Sequence, residues 1–541
     1  MFVRRVRNAK GVSYLQIVES YRDQKAVRQR VLFSLGRLED LQATGQLDQL
    51  VAALSRYCER LTLIDLTKDV SVDETFVFGS VYVLDQLFRR GPLLPIVEEI
   101  LGLHQHVEIP LVDTVFAMLV SRFVRPCSKR SLKERWLERL YPGLVRSDLG
   151  LHQLYRTLDL LAEHKSEIQQ HLIYPTSQLS LWASPKLELV FYDTTTLRFE
   201  SIREDRGVLR RFGYSKERRM DCTQVILGLL LDREGMPVGY ELFPGNTYEG
   251  HTLPGLLHRL KDQYHIGRLI FVADRGMLRG ANLDQIEEAG FQFIMGMKLW
   301  SLSKKEQGRM EHLTRWETIS KEFRLCEMTH PRGRLIVTWS QERADRDRQV
   351  RTDLLKTLRS RLAKNPEPTH LVSHKGFKRY LKVLEKGKVA VNERAVAQET
   401  RRDGLFGIIT NVPKEEMPAL EILQRYKELW RIEDAFGEIK GTLEARPMFH
   451  WTDPRIEGHM MICFLAYYLE AYITRQLRKA GAEFSAPTAI DALNEIKAVP
   501  VKVRGKTVWV KTRVDGIAAK TFEALQLRVP SDILKLPPGS V

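Results

Sequence analysis

The chain has only five cysteines, Cys58, Cys127, Cys222, Cys326 and Cys463, among 541 residues. They are odd in number, widely spaced and form no C-x-x-C pair, so neither a disulfide framework nor a cysteine zinc site is expected. Long apolar runs are equally scarce. The longest, around Met460–Tyr468, meets Glu470 before it could cross a bilayer and reads as a core helix. Arg4, Arg5, Arg7 and Lys10 have no apolar stretch behind them, so no secretory signal is expected. No internal repeat or low-complexity tract stands out. These absences point to a cytoplasmic protein with no membrane partner.

Positive charge, by contrast, is plentiful. Eighty-four Lys and Arg against 68 Asp and Glu give a formal charge of +16. A polyanionic partner is favoured, because each phosphate neutralised by Lys or Arg releases condensed counterions. Charge alone would also suit RNA or an acidic membrane surface. It is concentrated in two stretches, Arg122–Trp136 (RFVRPCSKRSLKERW) and Arg203–Arg219 (REDRGVLRRFGYSKERR). The length allows roughly three or four domains.

Candidate chemistry lies in three places. Tyr426–Lys440 (YKELWRIEDAFGEIK) reads as a helix with Ile432, Ala435, Phe436 and Ile439 as its apolar stripe. Tyr426, Glu433 and Lys440 recur every seven residues, two turns less about 20°, which would set them along one face. A carboxylate between an aromatic hydroxyl and an ammonium suits a metal ion beside a phosphate. Upstream, Leu187, Leu189, Phe191 and Tyr192 read as a strand ending in Asp193, and Leu269–Ala273 as a second one closing on Asp274, Arg275 and Gly276. Strands that end in a carboxylate project it from the sheet edge. Each aspartate alone could equally be a turn residue or helix cap.

With these residues, Gly213–Leu253 (GYSKERRMDCTQVILGLLLDREGMPVGYELFPGNTYEGHTL), Val272–Met277 (VADRGM) and the RPMFHWTDPRIEGHMMICFLAYYL that follows the helix, the chain resembles the DDE transposases of bacterial insertion sequences. It is most similar to the type-four group with the signature Y-x2-R-x3-E-x6-K. The resemblance implies that Asp193, Asp274 and Glu433 are the catalytic, metal-binding triad, holding two Mg2+ ions, with Mn2+ as a substitute. It implies DNA contacts from Tyr426 and Lys440, to which Arg431, Arg275 and Trp339 are added as candidates. One position departs: Leu429 stands where the signature has arginine, and Arg431 and Lys427, the nearest basic residues, lie at other helical angles.

The fold class expected is α/β, a ribonuclease H-like catalytic core interrupted by a large β-rich insertion, with a mainly helical N-terminal DNA-binding region. Asp193 and Asp274 are 81 residues apart, and Asp274 and Glu433 159, the second being far more than a connection needs. The domains expected are an N-terminal β-hairpin region (1–41), a helical DNA-binding region (42–180), a catalytic core in two segments (181–299 and 412–480), the insertion between them (300–411) and a C-terminal region (481–541). In the insertion, Arg334–Ser340 and Leu405–Thr410 read as strands, and Asp345–Lys364 as a helix stopped at Asn365-Pro366. Asp232–Gly235 reads as a hairpin turn, as does Gly505 within Val499–Lys511. Trp339 shares a strand face with Leu335 and Val337, which favours a core role over base stacking.

The implied reaction is cutting at the terminal inverted repeats, then joining of the freed 3′-OH ends to target DNA. The implied partners are those two double-stranded DNAs, a second copy of the chain in a homodimer on DNA, and the bacterial nucleoid as setting. A stand-alone nuclease on the same core and a domesticated, catalytically silent DNA-binding protein are the alternatives.

Overall fold

In the computed structural model, residues 1–23, 26–58, 70–72, 74–104, 109–173, 188–200, 204, 207–214, 221–264, 266, 269–278, 280–311, 315–364, 375–384, 389–503 and 506–534 are described. Gly505, Leu187, Asn365-Pro366 and much of the 203–219 basic stretch lie outside them. The chain divides into two units. One comprises Met1–Thr75, Val499–Val510 and Asp532–Leu534, and the other Phe76–Ala498 and Lys511–Ser531.

In the first unit, alternating residues build three antiparallel strands, β1 (Phe2–Arg7), β2 (Ser13–Asp23) and β3 (Ala26–Arg37), one more than a hairpin opening needs. Asn8 makes the first turn by accepting the backbone N–H groups of Lys10 and Val12 on its Oδ1, with Gly11 in the left-handed region at φ +78°. Short helices Leu38–Ala43 and Gln46–Ser55 follow, and β4 (Val70–Val72) pairs with residues 501–503.

In the second unit, β5 (Phe76–Val77) leads into helices Gly79–Arg90, Leu93–Leu103, Leu111–Val124 and Leu151–Glu163. The last two pack on the long helix Asp453–Lys479. Its Met460–Leu469 run is wholly buried, so the longest apolar stretch is a core helix. Among the described residues no helix is long and apolar enough to cross a membrane, and all five cysteines are free.

A nine-stranded mixed sheet carries the rest. Its strands are β6 (Leu189–Arg198), β7 (Gln224–Asp232), β8 (Pro237–Pro244), β9 (Ile270–Ala273), β10 (Gln292–Met297), β11 (Glu317–Ser320), β12 (Phe323–His330) and β13 (Gly333–Ser340). After a separate pair, β14 (Leu381–Val383) and β15 (Val389–Val391), comes the ninth, β16 (Leu405–Thr410). The order is β11-β12-β13-β16-β10-β9-β6-β7-β8. β7 runs antiparallel to both of its neighbours, β6 and β8, and turns into β8 at the expected place through Gly235 with φ +85°, while β9 and β10 run parallel to β6.

The strands expected in an insertion, β13 and β16, are therefore continuous with the central sheet. β16 pairs antiparallel with β10 on one side and β13 on the other, so Ile408 lies beside both Gly296 and Ile336. Helix Gln341–Lys364 leaves from the end of β13, and its Leu355 and Leu358 pack with Phe377 and Tyr380 in a small core of their own.

Side chains alternate between the two faces of each strand. On one face Val190, Tyr192, Phe271, Ala273, Phe293 and Met295 pack against Leu253, Leu256, Leu257, Leu283 and Ile286 from helices Leu253–His258 and Gly280–Glu288. The opposite face receives helix Trp430–Lys440, which packs on β6 and β7.

Candidate active site

The parallel pairing of β6 with β9 runs from Leu189↔Ile270 to Tyr192↔Ala273. Asp193 and Asp274 are the next residues on each strand, so their carboxylates leave adjacent strands side by side. Neighbouring strands lie about 4.8 Å apart. Both residues alternate away from Tyr192 and Ala273 and so avoid the packed face. Asp193 is half-buried and accepts the Thr194 N–H at 2.7 Å, and Asp274 is exposed.

One sequence expectation is corrected here. β6 does not end at Asp193 but continues to Arg198, because β7, buried along its whole length, offers a partner throughout, with Asp193 opposite Leu229. Alternation, and not strand termination, presents this carboxylate. β9 does stop before Asp274, where Met277 N–H bonds back to the Asp274 carbonyl in a 3-10 turn.

A second correction concerns Tyr426–Lys440, which is two helices, Ala419–Lys427 and Trp430–Lys440. At the junction the hydrogen bonds shorten to i→i+3: Leu429 N–H to Tyr426 O, Arg431 to Glu428 and Ile432 to Leu429. No proline or glycine marks the break. The seven-residue spacing thus holds one face only for Glu433 and Lys440. Burial of Ile432, Ala435, Phe436 and Ile439 orients the second helix and leaves Glu433 exposed in its first turn, where the positive end of the helix dipole favours a carboxylate.

The break turns Tyr426 towards β9. Its hydroxyl donates to Asp274 Oδ1 at 3.2 Å, and burial, reinforced by the Asp274 charge, raises the phenol pKa well above its usual value and keeps it a donor. Gly296 on β10 makes room, since a Cβ built there would overlap the Tyr426 hydroxyl.

Asp193, Asp274 and Glu433 line one cleft of about 680 Å3. Tyr426 and Leu429 share its wall, so the side chain that replaces the signature arginine points into the cleft and brings no charge. Positive charge comes instead from Lys427, Arg343 and Arg346. The two arginines belong to the helix after β13 and were missed in the sequence, where they form part of an evenly charged helix. Arg343 lies over Phe406 at 4.8 Å, and Lys427 over Phe323 at 5.1 Å. Thr338 and Ser340 of β13 complete that side.

The other candidates stand apart. Arg275 is exposed beside Asp274, near enough that its charge opposes the rise in the Tyr426 pKa. Arg431 is turned away, over Trp430 at 5.3 Å and against a different cavity. Lys440 sits two turns from Glu433, about 10 Å along the axis, and is not among the lining residues. Trp339 occupies the opposite sheet face from Thr338 and Ser340. It stacks under Arg324 at 4.4 Å on the side of Leu335 and Val337, a position that suits the favoured core role and gives the alternative, base stacking, no support.

The three carboxylates form an oxygen donor set of the kind hard divalent cations prefer. Their ligand atoms do not all fall within 4.8 Å of one another, so they surround an open space and not a single closed cage.

Residues 184–469 match the model of the transposase DDE domain, and residues 3–68 that of the IS1634 family transposase N-terminal domain. No curated protein matches the chain. A DDE domain spanning just over half of the 541 residues, behind an insertion-sequence N-terminal domain, places the chain in the DDE transposase family, enzymes that cut DNA and transfer its strands.

Proposed function

We propose that Asp193, Asp274 and Glu433 are the catalytic triad of this transposase. The observation that carries this reading is their convergence on one cleft, two from equal positions on parallel neighbours and one from a helix packed across them. The strand order β8-β7-β6-β9-β10, three antiparallel and then two parallel, supports a ribonuclease H-like core.

Enzymes of this family generally use divalent metal ions. Here the triad would hold two Mg2+ ions, with Mn2+ as substitute, which supply the charge that activates an attacking oxygen and stabilises a leaving one. The chain's own residues do the positioning. Tyr426 fixes the Asp274 carboxylate, and Arg343, Arg346 and Lys427 face the phosphates of a strand lying in the cleft. Water attacks the phosphodiester at the transposon end, the P–O3′ bond breaks, and the 3′-oxygen leaves with a proton as a hydroxyl. That hydroxyl then attacks a target phosphodiester and displaces its 3′-oxygen, with no covalent protein intermediate. Joining two ends to one target requires two such sites, hence a homodimer on DNA.

The test is purified protein with a labelled terminal-repeat duplex and Mg2+ or Mn2+, resolved on a denaturing gel. Nicking followed by joined product is expected. Cutting without joining would make the protein a nuclease, and binding without cutting a silent DNA-binding protein. Either outcome overturns the proposal.

A further inference from the structure

The basic stretch 122–136 contributes nothing to the lining of the triad cleft, and two of its cations are not on the surface. Arg122 is 2% exposed and Lys129 3%. Both line a cavity of about 70 Å3, together with Arg446, His450, His459 and Tyr155. That volume has room for several waters, and so for a tetrahedral oxyanion. Glu444, the one carboxylate among the lining residues, is itself exposed.

Two buried atoms in this cavity, the Arg122 Nε and the His459 Nδ1, lack a hydrogen-bond partner. Arg122 gives Nη1 to the carbonyls of Leu443 and Glu444 and Nη2 to that of Cys127, and it also hydrogen-bonds the Cys463 thiol, while its buried Nε meets no oxygen or nitrogen acceptor. His459 donates Nε2–H to the Ala445 carbonyl at 3.2 Å, which leaves the Nδ1 of the neutral ring a buried acceptor without a partner, one that only a protonated oxygen of a bound phosphate can serve. The groups whose charge reaches Lys129 are Arg122, Cys463 and Cys127, with no carboxylate among them. Burying a cation without a counter-charge is costly, and two lie together here.

We infer that this cavity is a binding site for a phosphate group, held by Lys129 and the Arg122 Nε, with His450 and His459 beside it. The electrostatics agree. Burial, then the neighbouring Arg122, lowers the Lys129 pKa to about 7, and burial, then Lys129, brings that of His450 down to about 3. A bound phosphate, a dianion when free at pH 8 and a monoanion within a DNA strand, opposes these effects, so binding at pH 8 takes up a proton onto Lys129 and weakens as pH rises above 7. The phosphate is either borne on DNA or free. The cavity wall 444–450 follows the Glu433 helix directly, and Phe449 at its rim is 60% exposed, as a DNA contact requires. The inference rests on the transposase reading only for that choice of source.

The experiment is titration calorimetry of the full chain with inorganic phosphate at pH 8, in two buffers of different ionisation enthalpy. Wild type should bind with uptake of about one proton. Lys129→Met should bind at least tenfold more weakly, without that uptake, and Glu433→Gln should bind like wild type, which separates this site from the triad. No binding by wild type at tens of millimolar phosphate overturns the inference, whatever the variants do. So does equal binding by a folded Lys129→Met protein. A second arm measures affinity for a DNA duplex against salt. If the phosphate is DNA-borne, Lys129→Met lowers the slope of log K on log salt by about 1. An unchanged slope with lost phosphate binding assigns the cavity to the free anion.

Discussion

Tyr426 and Asp274 lie 152 residues apart in sequence, yet the phenol donates a hydrogen bond to the carboxylate at 3.2 Å across a strand that has glycine at position 296. Gly296→Ala should force the hydroxyl off Asp274 and lower cleavage, with an overpacking cost of about 1–3 kcal/mol. Tyr426→Phe should be milder, because it loses one hydrogen bond and keeps the ring against Phe406. In the double variant the overlap with the hydroxyl is gone and only the ring Cζ, 3.0 Å from the new Cβ, remains close, so it should be more stable and more active than Gly296→Ala alone. Additive effects in thermal unfolding and in nicking rate would refute the relationship.

Asp193→Asn, Asp274→Asn and Glu433→Gln should each reduce nicking and joining at least about 100-fold, since metal charge stabilisation is worth several kcal/mol. Each keeps the shape of the side chain, so terminal-repeat binding in a gel shift should survive. A variant that still cuts at the wild-type rate in Mg2+ is not a ligand.

The charge missing at Leu429 has its counterpart in Arg343 and Arg346. Alanine at either should weaken DNA binding and lower the salt slope by about 1, while Arg431→Ala, facing the other cavity, should change neither. Lys440→Ala should slow cleavage and leave metal affinity unchanged, as befits a phosphate contact outside the carboxylate cleft. The assignment fails if Arg431→Ala alters the slope as much as Arg343→Ala does.

For Trp339, packed under Arg324 on the far face of the sheet, alanine should cost about 2 kcal/mol of stability. Phenylalanine should cost less. Strand opening, followed by 2-aminopurine fluorescence at the transposon end with folded protein, should be unaffected by either. A selective loss of opening in a stable Trp339→Phe protein would bring the tryptophan back to DNA.

Acid sensitivity has a specific source. His450 and His459 are held neutral by burial beside Lys129, with their pKa values below the usual imidazole value, His450 at about 3. The unfolded chain binds more protons below about pH 6.5. Their contribution is therefore intact above that pH and is lost as pH falls towards 3, by up to about 1.4 kcal/mol per pH unit for each histidine. Urea unfolding of wild type and His450→Gln between pH 4 and 7 should show a shallower decline in the variant. Parallel curves would contradict this.

Some of this architecture was legible in the sequence. The apolar runs before Asp193 and Asp274 are strands, and the 3.6-residue stripe of Ile432, Ala435, Phe436 and Ile439 is the packed face of the Glu433 helix. What could not be read depends on distant partners. β6 outruns Asp193 because β7 is there to pair with it. The break after Lys427 carries no local signal and is a change in hydrogen-bond step alone. The faces of Trp339 and of Arg343 follow from the pairing of β13 with β16 and of β16 with β10, a registration of segments 66–76 and 110–116 residues apart. The surface-like pattern of 122–136 hid the burial of Arg122 and Lys129, because lysine and arginine ordinarily mark solvent.

The position of β16 also sets an order of events during synthesis. A nascent chain that has reached Ser340 contains both aspartates and most of the sheet, but β10 lacks its antiparallel neighbour until residues 405–410 have been made. Only the residues after them bring Tyr426 to Asp274 and Glu433 to the cleft. On the triad proposed here, a product truncated anywhere in the first four hundred codons lacks Tyr426 and Glu433 and should be unable to cut DNA.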